Sequence, residues 1–413
     1  MPMAYKVLHI LSQRPSFTGS GVSLDSIVRL AAAAGWHQRV VVATPADDPV
    51  PNVGGLRPGQ IRPLVFGRDG LDFPIPGMSD VMPYPSSRFS SLDAEQLQTY
   101  RQSWRQHVGE VVAEFQPDLI HSRHIWLLSA MMKDVAPQVP VVTHCHATGL
   151  RQMSLCPHLA EEVQQGCRRN DRFFVLHEGH AEQLTSRLDV SYDRIHVVGA
   201  GYQDATFHAN RRPPDCGASL LYVGKYSHAK GLPQLLDAVD RLAERRSDLV
   251  LHVAGDGAGA EAEALRSRMA AMAPRVTMHG QLDQPALADL MRRCALFVLP
   301  SFYEGLPLVL IEALACGCRV VCSDLPGVRK GFGPGAEGAF DRVPLPRLIG
   351  VDTPAPEDLP AFVNKLVATV ESNLDRPRGD SATQRVNDLL KHFTWAAVFQ
   401  RIERVWLELA SSQ

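Results

Sequence analysis

The chain lacks the features that mark membrane, nucleic-acid and disulfide-framed proteins. None of its apolar runs reaches the ~18 residues needed to propose a membrane span. The apolar run near the N-terminus, in YKVLHIL, holds about six residues, against the roughly 7–15 of a secretory signal core. It reads as a first strand, and a cytoplasmic location is expected. Charge of one sign is also missing. The net charge is −2, and residues 1–200 carry 18 Lys and Arg against 19 Asp and Glu. No nucleic-acid partner is expected from that balance, and at most weak membrane association. Five of the eight cysteines (Cys145, Cys294, Cys316, Cys318, Cys322) lie in or beside apolar segments, the pattern of reduced core thiols and not of a disulfide framework. His144, Cys145, His146, Cys156, His158 and Cys167 match no compact zinc spacing, so no metal is expected. No short internal repeat is evident.

What is present describes a soluble globular protein: 45% apolar and 21% charged residues over a length of 413. That length exceeds one ordinary core and favours two domains. The first half alternates strand and helix. YKVLHIL (5–11) is followed by a Gly/Ser loop, FTGSGVS (17–23), then by a helical pattern over 24–35 and a strand at 37–44. This order argues for a parallel α/β sheet. Residues 45–92 are rich in Pro and Gly with little periodicity, and are read as acceptor-binding or lid loops. A long helix is expected over 94–115, with strands at 118–123, 139–146, 172–177 and 194–201. A second α/β half begins near residue 218, with strands at 219–225, 248–257, 275–280, 295–301 and 318–324. The tail from about Ser381 to Ser411 reads as helical, with an apolar stripe from Val386 to Trp406. The expected domains are 1–200, 201–380 and a helical segment 381–413 that packs back on the first. In doubly wound sheets ligands bind beyond the carboxyl ends of strands, which places a ligand in the cleft between the halves.

FYEGLPLVLIEALACG (302–317) sets two glutamates in an apolar run. Glu304 falls in the turn after a buried strand. Glu312 falls inside the following helix, which Pro307 opens and Gly317 closes. A helix start favours an anion and a carboxylate binds vicinal hydroxyls, so a nucleotide sugar would suit both. The alternative is structural: Glu304 as a cap and Glu312 paired with an arginine. GKYSHAKG (224–231) adds Lys225 and Lys230 in a strand-to-helix turn, where cations neutralise a leaving diphosphate. Both could instead be solvated loop residues.

These stretches together resemble the GT-B retaining glycosyltransferases, in particular glycosyltransferase family 4. The resemblance spans nearly the whole chain. It rests on the E-x7-E pattern Glu304–Glu312 in LPSFYEGLPLVLIEALACGCRVVCSD, on GKYSHAKG, on HVAGDG (252–257), HGQL (279–282) and GAGYQDATFHA (199–209). It implies two doubly wound Rossmann-like domains facing across a cleft. It implies a retaining, metal-independent sugar transfer from a nucleotide diphosphate sugar, UDP-linked, to an acceptor, with no cofactor. By the same resemblance Glu304 contacts the donor sugar, Glu312 the ribose hydroxyls, and Lys225 and Lys230 the diphosphate. Backbone at Gly305, Leu306 and Leu308 lines the sugar and phosphate pocket, and Gly19 and Gly21 form the N-terminal glycine loop. The base lies near Gly280–Leu282, with Leu282 among the donor contacts, and His146 lies near the transferred sugar; whether His144 or His146 faces the cleft stays open. The chain departs from the family pattern in having Lys225 in place of arginine, GSG in the glycine loop, and Val328-Arg329-Lys330 after CSDLPG. The balanced charge of the first half favours a small-molecule or saccharide acceptor over a membrane lipid. A nucleotide-sugar epimerase of the same architecture and a non-catalytic sugar-nucleotide-binding protein are the rival readings.

Overall fold

The structure, a computed structural model, describes residues 5–15, 18–48, 51–79, 82–333, 336–376 and 380–411, the side chains of 380–383 excepted. The chain divides into two compact units. Unit 1 holds the residues up to Ala200 together with those from Trp395 onward, and unit 2 holds Gly201–Thr394.

Unit 1 is built on seven parallel strands: β1 (Lys6–Leu11), β2 (His37–Pro45), β3 (Ile61–Phe66), β4 (Leu119–Arg123), β5 (Val141–His144), β6 (Arg172–Val175) and β7 (Ile195–Val197). Their spatial order is β3-β2-β1-β4-β5-β6-β7, so the chain winds one way to β3 and then reverses from β4 onward. Strand β3 lies inside the stretch read as irregular loops. It escaped notice because Pro63 interrupts the run, and the sheet tolerates that proline because β3 is an edge strand. Helix α1 (Gly19–Ala33) starts five residues before the expected helix, within the presumed glycine loop. Thr18 is its N-cap and its side chain accepts from the Gly21 amide, while Ser20 and Ser23 are buried; the serines and glycines that suggested a loop serve as a helix start. Phe17 lies outside the described residues. Helix α2 (Ala94–Phe115) begins at a capping box of Asp93 and Gln96. Helix α3 (Ala147–Leu155) follows β5.

Unit 2 carries six parallel strands: β8 (Ser219–Val223), β9 (Val250–Ala254), β10 (Val276–Gly280), β11 (Leu296–Leu299), β12 (Arg319–Ser323) and β13 (Asp341–Val343). Their order is β10-β9-β8-β11-β12-β13. The reversal therefore falls between β8 and β11, which pair through Leu220 with Leu296 and Leu221 with Phe297. Leu220, Leu221, Leu296 and Phe297 are fully buried, as strands covered on both faces require. Two helices matter most here: α4 (Leu232–Ala243) after β8 and α5 (Leu308–Ala315) after β11.

The tail is not one helix. It breaks at His392–Thr394 into Asp380–Lys391 and α6 (Trp395–Ala410). Leu389, Leu390 and Phe393 join the core of unit 2, whereas Trp395, Val398, Phe399, Ile402, Val405 and Trp406 join unit 1. The expected single segment is thus divided between the two units, at the boundary between Thr394 and Trp395. Glu403 accepts from the Trp36 indole at 2.9 Å, and Arg401 donates to the Val198 carbonyl at 2.9 Å, fixing α6 against the sheet of unit 1. No helix among the described residues is long and apolar enough to cross a membrane. Among the described residues no cysteine is in a disulfide.

Candidate functional site

In unit 2 the loops beyond β8 and β11 converge at the strand-order reversal, where open α/β sheets bind ligands. The loop after β8 ends at Gly231, whose φ of +67° suits glycine. A Cβ there would sit 2.0 Å from the Pro300 carbonyl oxygen in the other loop. The Phe302 amide donates to the Ala229 carbonyl at 2.9 Å, so the two loops are held backbone to backbone. Gly231→Ala is expected to destabilise the protein by about 1–3 kcal/mol through backbone strain and this clash. Denaturant unfolding would measure the loss, and an unchanged midpoint would show that the loops can part freely.

This lacing brings Lys230 and Glu304 together. The Lys230 ammonium donates to Glu304 Oε1 at 2.7 Å, and the Ser301 hydroxyl donates to the same oxygen at 2.9 Å. The two charged side chains keep 25% and 17% of their exposure, enough for a ligand to reach them. Glu304 is therefore no helix cap: α5 begins at Leu308, and its N-cap Pro307 makes no side-chain capping bond. Beneath the pair lies buried Tyr222, whose hydroxyl donates to the Lys225 carbonyl at 2.7 Å. Burial, followed by the nearby Glu304 charge, pushes its phenol well above the ordinary range. Lys225 itself is exposed.

Glu312, in the second turn of α5, differs from Glu304. It is half-buried, and among the described residues no hydrogen bond or ion pair reaches its carboxylate. The arginine partner of the structural reading is not there. Burial pushes its carboxyl up to about 7. Of the backbone groups expected to line the pocket, the Leu308 amide is already taken by the Leu306 carbonyl at 3.0 Å. No bond to the Gly305 or Leu306 amide is found among the described residues, so these two remain available as donors. Gly327 packs against this turn so closely that a Cβ would lie 2.1 Å from the Gly305 carbonyl oxygen. Val328 is buried in the short helix Pro326–Gly331, and Arg329 reaches Asp324 at 3.3 Å. Leu282 is half-buried beyond β10 and packs on the unit 2 core. Gly280, at φ +64°, offers its carbonyl to the Gly255 amide at 2.7 Å.

In unit 1 the carboxyl ends of β1, β4 and β5 carry the remaining candidates. Gly19 is exposed in the first turn of α1, with open space where a Cβ would point, and Gly21 is buried beside it. His146 is the N-cap residue of α3 and half-buried. His144, two residues earlier at the end of β5, is 1% exposed, so His146 is the more accessible of the two. Their rings stack at 4.7 Å between centroids with 12° between planes. Burial first, then His144, His124 and Arg123, hold His146 well below its ordinary pKa, so it is neutral at pH 7. Among the described residues no three His, Cys, Asp or Glu side chains converge to hold a metal. Ser301 and Tyr222 were not foreseen. Ser301 stands three residues before Glu304, a spacing that becomes informative only once the turn is known.

Two parallel-sheet units of this winding have the architecture of the GT-B fold, and the second carries an acidic and basic pair at its strand-order reversal. Comparison with known proteins gives the family. Residues 18–201 match the family described as glycosyl transferase 4-like domain, and residues 204–342 match glycosyl transferases group 1. The chain belongs to the family 4 type of GT-B glycosyltransferases, and it is an enzyme of that class. It is 28% identical to a glycogen synthase of Mycobacterium tuberculosis over 307 residues, 71% of this chain and 69% of that protein. It is 31% identical to the phosphatidyl-myo-inositol mannosyltransferase of the same species, over only 48% of this chain and 49% of that one. Among solved structures, sucrose-phosphate synthase from Thermosynechococcus elongatus superposes with a TM-score of 0.71 at 19% identity, over 99% of this chain and 100% of that one. Anabaena HepE in complex with UDP and glucose gives 0.66 at 16%, over 97% and 99%.

Proposed function

We propose that this glycosyltransferase takes its sugar from a nucleotide diphosphate sugar, UDP-linked, and transfers it with retention to a small-molecule or saccharide acceptor. The observation that carries the reading is Glu312. A half-buried carboxylate with no protein partner costs free energy in the unliganded fold, and ribose hydroxyls would supply the missing donors. The neighbouring groups fit the rest of such a donor. Lys230 and the exposed Lys225 are cations for the diphosphate, and the Gly305 and Leu306 amides add uncharged donors. Glu304, released in part from Lys230, accepts from a sugar hydroxyl. The proposed chemistry is a front-face substitution. The bond from the anomeric carbon to the diphosphate oxygen breaks as the acceptor oxygen attacks from the same side. The departing diphosphate takes the acceptor proton, and the lysines stabilise its growing charge. No cofactor or metal is assigned to the step. Similar proteins agree in kind: one of the structures holds UDP and glucose, and other relatives are named for glycogen synthesis and for inositol 3-phosphate glycosylation.

The test is to incubate the enzyme with UDP-, GDP- and ADP-hexoses and a panel of saccharide and small polyol acceptors. Released nucleoside diphosphate and the anomeric configuration of the product are followed by proton NMR. UDP release with an α-linked product from an α-linked donor is expected. An inverted product would rule out the front-face step, and donor isomerisation without transfer would favour an epimerase.

A further inference from the structure

Unit 1 contains a buried cation that the donor chemistry does not use. Arg123 closes β4 and pairs in register with His144 of β5. Its side chain is 1% exposed, and all three guanidinium nitrogens lack a hydrogen-bond partner among the described residues. An arginine so placed is ordinarily met by a carboxylate, because an unpaired buried charge is among the costliest features a fold can keep. Here the surrounding side chains are imidazoles: His9 of β1, His121 of β4, His144 and His146 of β5, and His124. Burial, then the Arg123 charge, keeps His9, His121, His124 and His144 neutral at pH 7. None of them can neutralise a guanidinium. Burial also draws Arg123 down to about 9, which leaves it cationic at neutral pH.

The backbone next to Arg123 is constrained. His124 has a φ of +69°, a left-handed conformation unusual for any residue but glycine. Its amide donates to the His144 carbonyl at 2.9 Å, and its ring nitrogen meets the Thr148 hydroxyl at 3.2 Å. Residues 146–148, which follow the neighbouring strand, are half-buried. The site lies at the strand-order reversal between β1 and β4, the ligand-binding end of such a sheet. A planar guanidinium with five unsatisfied donors matches a carboxylate or phosphate better than any neutral hydroxyl.

We propose that Arg123 is the anion-recognition residue of unit 1, and that it receives a phosphate or carboxylate group carried by the acceptor. This rests on the glycosyltransferase reading above and narrows it: the acceptor is an anionic saccharide or polyol and not a neutral one.

Thermal shifts with inorganic phosphate, glucose 6-phosphate, glucuronate and glucose, on wild type, Arg123→Met and Arg123→Lys, test the assignment. At saturating probe, glucose 6-phosphate with inorganic phosphate, or glucuronate, raises the wild-type Tm by about 2–4 °C, and glucose does not. Whichever anion is preferred tells a phosphorylated acceptor from a carboxylated one. Arg123→Met loses the shift, and its unliganded Tm is higher than wild type because an unpaired buried charge has gone. Arg123→Lys keeps the charge but not the fork, so its apparent Kd rises about tenfold; it decides the matter if the methionine variant does not fold. A lower unliganded Tm for Arg123→Met, with no probe effect on wild type, would make Arg123 a packing residue and overturn the proposal. So would a probe shift that survives in both variants. UDP serves as the control. Loss of its effect in Arg123→Met would assign Arg123 to the nucleotide and overturn the acceptor role. A wild type that ignores UDP would instead defeat the donor reading.

Discussion

Lys230→Ala lowers kcat for sugar transfer by about 10²–10³, the loss typical of removing one charge-stabilising donor from a preorganised site. The reason is geometric. Lys230 is held 2.7 Å from Glu304 by two loops that touch through backbone, so its ammonium is in place before any donor arrives. In the proposed reaction the diphosphate gains a further negative charge as the glycosidic bond breaks, and an interaction that strengthens at that stage acts on kcat more than on KM. Lys230→Arg keeps the cation at altered reach and restores part of the rate. Lys225 is exposed, and Lys225→Ala is expected to raise KM with a smaller loss in kcat. Steady-state kinetics of the three variants separates the roles. Equal, modest changes in all of them would show that neither lysine meets the transition state.

Glu312→Gln makes the unliganded protein more stable at pH 8, by about 2–3 kcal/mol. The Glu312 carboxyl titrates near 7 in the fold because burial disfavours its charge, against an ordinary value of 4.5. A raised carboxyl pKa means that the folded state binds the proton more tightly than the unfolded chain. Its contribution to stability therefore falls as pH rises from about 4.5 to about 7, and the full penalty is present above that. Glutamine carries no such penalty. The gap between variant and wild type is widest at pH 8, narrows through pH 6, and closes by about pH 4. Urea unfolding at four pH values measures it. A constant gap, or a less stable variant at pH 8, would mean that the Glu312 charge is compensated in the fold. Under the proposed function the same substitution is expected to weaken nucleotide binding, so stability and function would move in opposite directions at this residue.

Much of this site could be read in the sequence because its parts are local. Strand, turn, proline and apolar helix succeed one another around Glu304 and Glu312, and that order alone puts one carboxylate in the turn and the other inside α5. GKYSHAKG placed Lys225 and Lys230 after a strand in the same way. What stayed hidden depends on contacts between distant segments. Nothing near Gly231 reveals that Pro300 lies against it, and nothing near Lys230 reveals that Glu304 is its partner. Strand β3 was concealed by a proline that only its place at the sheet edge excuses. The start of α1 was concealed because Thr, Ser and Gly serve both loops and helix caps. The tail divides between two cores because the apolar spacing runs past the break at His392–Thr394, and the residues on either side differ in what they pack on, not in type. Arg123 reads in sequence as one more strand-end cation. Only its burial without a partner sets it apart.

Under the proposed function the strand-end site of unit 2 binds a nucleotide diphosphate through Glu312. A thermal-shift titration with UDP, GDP and ADP on wild type and Glu312→Ala tests it most directly. At 100 times its Kd a ligand stabilises the fold by about 2.7 kcal/mol. For a domain of this size that is about 5–10 °C in Tm. Stabilisation of wild type by UDP above the other two, lost in Glu312→Ala, is the predicted result. An unmoved wild type, or an equal shift in the variant, would contradict it and return Glu312 to an unexplained cost of the fold.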